Sequence, residues 1–127
     1  MGDPEDFLRS LFAAAVAAAS DFSSLPGLIP RTHGRVRVLA VGKAGAAMAM
    51  VIETAPPTWL QPGQLDGLVV TPVGHGLPSS AFQTLVAGHP VPDAASLIAG
   101  ERMLSLASDL RAGDLLVALV SGGASAL

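Results

Sequence analysis

Along the first twenty residues the apolar side chains Phe7, Leu8, Leu11, Phe12, Ala15 and Val16 recur at intervals of three and four. That spacing gathers them on one face of an α-helix. Asp3 is a natural cap for it, Pro4 fits the first turn, and Glu5 and Asp6 favour the positive end of the helix dipole. The pattern predicts an ordinary buried helix ending near Ser20, followed by a Pro- and Gly-containing linker from Leu25 to Gly34. The pattern then changes. Val36 to Val41 is a short apolar run that breaks at Gly42-Lys43-Ala44-Gly45, and Ala46 to Glu53 reads as a helix of small residues stopped by Pro56-Pro57. Strand, glycine turn and helix make the opening of a βαβ unit.

The same grammar repeats. Leu68 to Thr71 reads as a second strand ending in Pro72-Val73-Gly74-His75-Gly76, and a shorter one around Gln83 to Ala87 leads into Gly88-His89-Pro90-Val91-Pro92-Asp93. Asp93 then caps a helix from Ala94 to about Arg111, with Leu97, Met103, Leu104, Ala107 and Leu110 on its expected inner face. Leu115 to Val120 is a wholly apolar run ending in Ser121-Gly122-Gly123-Ala124-Ser125. Continuous apolar strands are buried on both faces, as in a parallel sheet between helices. The expected fold is therefore α/β, a three-layer αβα sandwich around a mostly parallel, Rossmann-like sheet. An edge position for the last strand fits poorly with six apolar residues in a row. Because that strand leads into a glycine turn and the start of a helix, residues 1–127 are expected to form the amino-terminal α/β domain of a two-domain protein, incomplete at its carboxyl end.

Composition narrows the classes. Only 13% of the 127 residues are charged, against about 25% in an average soluble domain. Part of the surface is thus expected to face a further domain or a second copy. The net charge of −3 and the lack of any basic run argue against a nucleic-acid partner. The chain has no cysteine, which fits a reducing cytoplasm. Its longest apolar run, Leu11 to Ala19, is too short to span a membrane, and the acidic residues before it are wrong for a signal peptide.

Ligands of parallel α/β sheets bind at the carboxyl ends of the strands, and here each strand ends in a Gly-containing loop that carries Lys, His or Ser. Gly42 and Gly45 flank Lys43 beside a helix amino terminus, an arrangement that suits an anion, although neither the P-loop nor the dinucleotide spacing is present. Lys43 reads equally as a solvated strand-end lysine. Ser121, Gly122, Gly123 and Ser125 form a second candidate anion cradle, or a tight turn whose glycines only permit packing. The nucleophile elbow is absent because serine precedes the glycines. His75, with Gly76, and His89 follow glycines at the same expected sheet edge. They read as ligand contacts or as loop histidines bonded to backbone, and no metal set is complete. His33 reads as solvated and Trp59 as a packing plug.

Three segments together resemble the type-2 glycerate kinases, whose longer members end in a MOFRL domain. They are Val38-Leu39-Ala40-Val41-Gly42-Lys43-Ala44-Gly45, Ala87-Gly88-His89-Pro90-Val91-Pro92-Asp93 with Ser96, and Val120-Ser121-Gly122-Gly123-Ala124-Ser125-Ala126-Leu127. Thr71-Pro72 and Gly74-His75-Gly76 match in kind and order. The resemblance implies transfer of the γ-phosphoryl group of ATP, bound with Mg2+, to the 2-hydroxyl of D-glycerate in a cleft between two domains. It implies that Lys43 is the active-site lysine, that the loop from Ser121 to Ser125 is a substrate or phosphate loop, and that His89, Asp93 and Ser96 belong to a further signature. Val73 stands where the family pattern has an aromatic residue, and Val86 where it often has an acidic one. Some members carry the name hydroxypyruvate reductase. A reductase needs an acidic residue about 20 positions after the glycine turn to hold a nicotinamide ribose, and Asp66 lies at that distance, in what reads as a Gly63–Gly67 turn. The other alternative is a non-catalytic module that binds an organic acid.

Overall fold

The computed structural model describes residues 3–127. Four strands, β1 (Val36–Val41), β2 (Leu65–Thr71), β3 (Phe82–Val86) and β4 (Leu115–Val120), form one sheet in the order β3-β2-β1-β4. Every pairing is parallel. The helices are α1 (Pro4–Ala19), α2 (Leu25–Leu28), α3 (Gly45–Thr54) and α4 (Ala94–Ser108), and a single 3-10 turn spans Ala124–Ala126.

Side chains alternate across β1 and sort the core into two halves. Val36, Val38 and Ala40 point to one face, where Ala46, Met48, Ala49 and Ile52 of α3 pack on them together with Val69, Phe82 and Leu119. Ile29, Trp59 and Leu60 close that side, so Trp59 is the packing plug its sequence context suggests. On the opposite face Leu39, Leu68, Val70 and Ala87 meet Ala99, Met103, Leu106 and Ala107 of α4. The outcome is the three-layer α/β arrangement that the apolar strands imply.

Three expectations are corrected. Helix α1 forms, with Asp3 as its cap accepting from the Glu5 amide at 3.0 Å, but none of its residues is buried. Phe12 stands 73% exposed, because the rest of the chain brings no apolar surface against the stripe. Helix α4 turns only part of its expected face inward: Met103 and Ala107 pack on the sheet with Ala99 and Leu106, while Leu97 and Leu104 are exposed at 67% and 70%. Apolar residues lie on most sides of this helix, and the small Ala99 lets it sit close to β3 and β2. Finally, β4 lies at the sheet edge among the described residues and buries one face only. Leu119 is buried, whereas Leu116, Ala118 and Val120 are exposed because α4 covers β3 and β2 and stops short of β4.

The amino-terminal end of the sheet is locked by ions. The Arg37 side chain is buried and donates to Asp66 at 2.8 and 2.6 Å, to the Leu106 carbonyl at 2.8 Å and to Asp109 at 3.3 Å. Asp66 therefore sits inside β2 opposite Arg37 and not in a turn, because the register of β1 with β2 pairs the two residues. Arg35 binds Asp109 and Asp114 beside it. Hydrogen bonds from the Arg111 and Arg35 amides, and from the Arg35 guanidinium, hold the Asp114 carboxyl down at about 2.

Candidate functional site

At the other end of the sheet the strand-end loops converge. The chain runs outward from β1 to β2 and β3, then returns across β1 to β4, so the topological reversal falls between β1 and β4. Crevices at such reversals are where open α/β sheets bind ligands. Two loops flank this one, Gly42–Gly45 after β1 and Ser121–Ser125 after β4, and they are tied to each other. The Lys43 amide donates to the Gly122 carbonyl at 3.2 Å, the Ala44 amide to Ser121 Oγ at 2.9 Å, and the Ser121 amide to the Val41 carbonyl at 3.0 Å. Gly42 is required at this crossing. Its φ is +111°, and a Cβ there would lie 2.3 Å from Ser121 Oγ and 2.8 Å from the Ser121 carbonyl oxygen.

His89 comes from the loop after β3. Its ring lies against Gly123, whose φ is +87°, so that a Cβ on Gly123 would meet His89 Cε1 at 2.9 Å. The Gly88–Asp93 segment that presents His89 is clipped at both ends. Asp93 Oδ1 accepts from the Ser96 amide at 3.0 Å and the Gly88 amide at 3.2 Å, while Ser96 Oγ accepts from the Asp93 amide at 3.0 Å. This reciprocal capping box starts α4. The Ser96 amide hydrogen bond comes first among the interactions that keep the Asp93 carboxyl below the usual carboxylate range, so it stays ionised at neutral pH. His89 Nδ1 is buried without a hydrogen-bond partner, as is Thr71 Oγ1 at the end of β2.

Lys43, His75, His89 and Asp93 line one open cleft of about 500 Å3 together with Pro72, Val73, Val86, Ala87 and Gly88. The Lys43 side chain is exposed, and no ion pair engages its ammonium among the described residues. Lys43, His89 and the Ser121–Ser125 loop thus share one edge of the sheet, as the strand-end pattern implies. Other candidates do different work. Gly42 and Ser121 join the loops, Ser96 completes the helix cap, and Gly45 packs on Ala40 of β1. Gly76, Gly122 and Ser125 are exposed outside the cleft lining. His33 is exposed and does not line the cleft.

Sequence reasoning did not single out Glu53, although it fixes the connection between the His75 loop and β3. Its carboxylate accepts from Ser79 Oγ and Ser80 Oγ at 2.5 Å each, the Ser80 amide at 2.8 Å and the Ala81 amide at 3.2 Å. Burial pushes this carboxyl up, but the Ser79, Ser80 and Ala81 donors outweigh it and bring it down to about 2. Pro56-Pro57 just beyond was visible as a helix stop, but nothing local marks Glu53 as a clamp.

A magnesium ion finds no ready place among these residues. Asp93 is the only carboxylate lining the cleft, and its Oδ1 is committed to the cap. No group of three acidic or histidine side chains is placed to hold a metal among the described residues.

The family model described as a domain of unknown function, DUF4147, matches residues 7–127. An Agrobacterium vitis protein named as a hydroxypyruvate reductase is 42% identical over 94% of this chain and 27% of its own length. A glycerate 2-kinase from Pyrococcus horikoshii is 34% identical over 89% of this chain and 24% of its own. The crystal structure of a glycerate kinase from Thermotoga maritima superposes with a TM-score of 0.71 at 31% identity, covering 96% of this chain and 30% of that one. The chain therefore spans less than a third of the length of each of these relatives.

Proposed function

Since this chain belongs to the DUF4147 family, we propose that it is the amino-terminal α/β domain of a D-glycerate 2-kinase. In this reading the 2-hydroxyl oxygen of D-glycerate forms a bond to the γ-phosphorus of ATP. The bond from that phosphorus to the β-phosphate oxygen breaks, the hydroxyl proton is lost, and 2-phosphoglycerate and ADP leave. Lys43 is the catalytic residue, a point charge at the strand end that draws anionic substrate into line. The observation that carries the reading is that Lys43 and His89 line one cleft at the carboxyl ends of the strands, with the Gly122-Gly123 turn bonded to the one and packed against the other. Phosphoryl transfer depends on positioning and charge stabilisation. One free ammonium supplies part of that charge, so the 127-residue chain alone is expected to show no turnover. The second domain, whether covalent or on another copy, brings the remainder. Magnesium would arrive with the nucleotide. A cysteine-free chain with no helix long and apolar enough to cross a membrane among its described residues is compatible with a cytoplasmic setting.

The relatives named as hydroxypyruvate reductases raise a nicotinamide-dependent reaction as the rival. A ribose-binding acid belongs at the carboxyl end of β2, where this chain has Thr71-Pro72. Asp66 is at the other end of that strand, paired with Arg37. The geometry favours the kinase. Assaying the full-length enzyme with ATP, magnesium and D-glycerate, and separately with hydroxypyruvate and NADH or NADPH, decides between them. Phosphorylation that collapses in Lys43→Ala while the folded spectrum is kept is the expected result. Hydroxypyruvate-dependent oxidation of the reduced cofactor, without phosphorylation, overturns it.

A further inference from the structure

Four backbone amides at the end of β1 stand where an anion would approach, and all four are already used by the protein. Gly42 donates to the Val70 carbonyl at 3.1 Å, Lys43 to Gly122 at 3.2 Å, Ala44 to Ser121 Oγ at 2.9 Å and Gly45 to the Gly42 carbonyl at 3.1 Å. A phosphate cradle works by leaving such amides free for phosphate oxygens. The glycine turn around Lys43 is a latch between β1 and β4 instead. What reaches the cleft from this turn is the Lys43 ammonium.

Charge decides what that ammonium can hold. Lys43 is the only lysine or arginine lining the cleft, and Asp93, ionised at neutral pH, lines it too. One positive and one negative charge leave the wall close to neutral. A nucleotide triphosphate brings several negative charges and calls for a cluster of Lys, Arg or metal. A single carboxylate is matched by one ammonium. The remaining lining suits a short polyhydroxylated or aliphatic acid: the imidazoles of His75 and His89 can exchange hydrogen bonds with hydroxyls, and Pro72, Val73, Val86 and Ala87 offer an aliphatic wall for the carbon chain.

Resting on the kinase reading, we infer that this cleft is the seat of the 2-hydroxy acid and not of the nucleotide phosphates. The acid's carboxylate lies on Lys43, and Val73 and Val86 border its far end. Specificity at that end is set by aliphatic contact, so an acid with a methyl group at C3, D-lactate, is accepted beside D-glycerate.

The test is a titration of the 15N-labelled 127-residue chain, separately with D-glycerate, D-lactate and ATP, following the amide signals of Lys43, Val73, Val86 and His89. D-Glycerate and D-lactate are expected to shift these signals with affinities within about tenfold of each other, a methyl or hydroxyl in an apolar pocket being a weak discriminator. ATP at the same concentration leaves them in place. Lys43→Met, an exposed and fold-neutral change, should weaken D-glycerate about tenfold or more, the effect of losing a charge-assisted hydrogen bond. ATP shifting the same four signals, D-glycerate leaving them unmoved, or Lys43→Met binding like the parent would each overturn the assignment. Turnover of D-glycerate by the full-length enzyme is measured in parallel. Turnover with glycerate shifts outside the cleft overturns the assignment and leaves the kinase standing. Shifts inside the cleft without turnover remove the kinase and leave an organic-acid binding module.

Discussion

Two glycines at the site carry opposite expectations, although they sit in two loops bonded to each other. Gly42 combines a φ of +111° with a backbone contact that leaves a Cβ no room, whereas Gly122 has nothing within 4 Å of that position and no unusual φ. Gly42→Ala should therefore cost about 1–3 kcal/mol in strain, with the displaced Ser121 backbone adding to it, while Gly122→Ala stays within about 0.5 kcal/mol of the parent. Urea unfolding of the two variants checks this, and equal losses would show that the loop junction is softer than its contacts imply. Thr71 gives a test of opposite sign. Its hydroxyl is fully buried without a partner, and replacing an unsatisfied hydroxyl by a methyl removes a desolvation penalty. Thr71→Val should stabilise the fold by about 1 kcal/mol.

Among the elements, those whose character is written in consecutive residues were legible, and those fixed by a distant neighbour were not. The run Val36 to Val41 could only be a buried strand, and the Gly-Lys-Ala-Gly break after it placed a loop at the sheet edge. Burial of Leu116 and Val120 depends instead on whether α4 reaches across β4, and no window of sequence contains that information. The same holds for Arg37. Its partners Asp66 and Asp109 lie 29 and 72 residues away, so nothing local marks Arg37 as the centre of an ion network. Arg37→Ala would leave the Leu106 carbonyl unpaired and free Asp66, which is half exposed at the surface, while Asp109 keeps Arg35. A loss of about 2 kcal/mol is expected, with D-glycerate binding unchanged because the network lies at the opposite end of the strands. Glu53 makes stability depend on acid. Its folded pKa, about 2, lies below the ordinary 4.5, so its contribution is complete above about 4.5 and is lost as pH falls toward 2. Thermal midpoints of Glu53→Gln should fall less steeply than those of the parent over that interval; parallel curves would remove the clamp from the account.

At the scale of the molecule, apolar surface is left over in three places: the α1 stripe, the outer side of α4 and the open face of β4. This is where the low share of charged residues shows itself, since isolated exposed leucines are ordinary but contiguous patches mark contacts. The chain should self-associate in dilute solution with little response to salt, because the contacts are apolar. Sedimentation velocity at low and high ionic strength tests this, with a salt-independent monomer as the contrary result. Phe12→Asp and Leu116→Asp, both at exposed positions, should each weaken association without lowering the unfolding midpoint of the monomer.

The placement of β4 also sets an order of events. β1 meets β2 through the short α3 crossover, but it meets β4 only after the whole of β2, β3 and α4 has intervened. Closing the longer loop costs more chain entropy, and strands joined by it dock late. The latch atoms, Ser121 Oγ and the Gly122 carbonyl, ride on this last strand, so three strands can be in register before the Lys43 loop is held. Among the described residues the same strand is bound on one edge and buries one face, so its departure is an opening the structure offers. Native-state hydrogen exchange would then release the β4 amides and the Lys43 and Ala44 amides together, ahead of β1 and β2. Ligand held at Lys43 would slow that release, making occupancy and the closing of the sheet a single equilibrium.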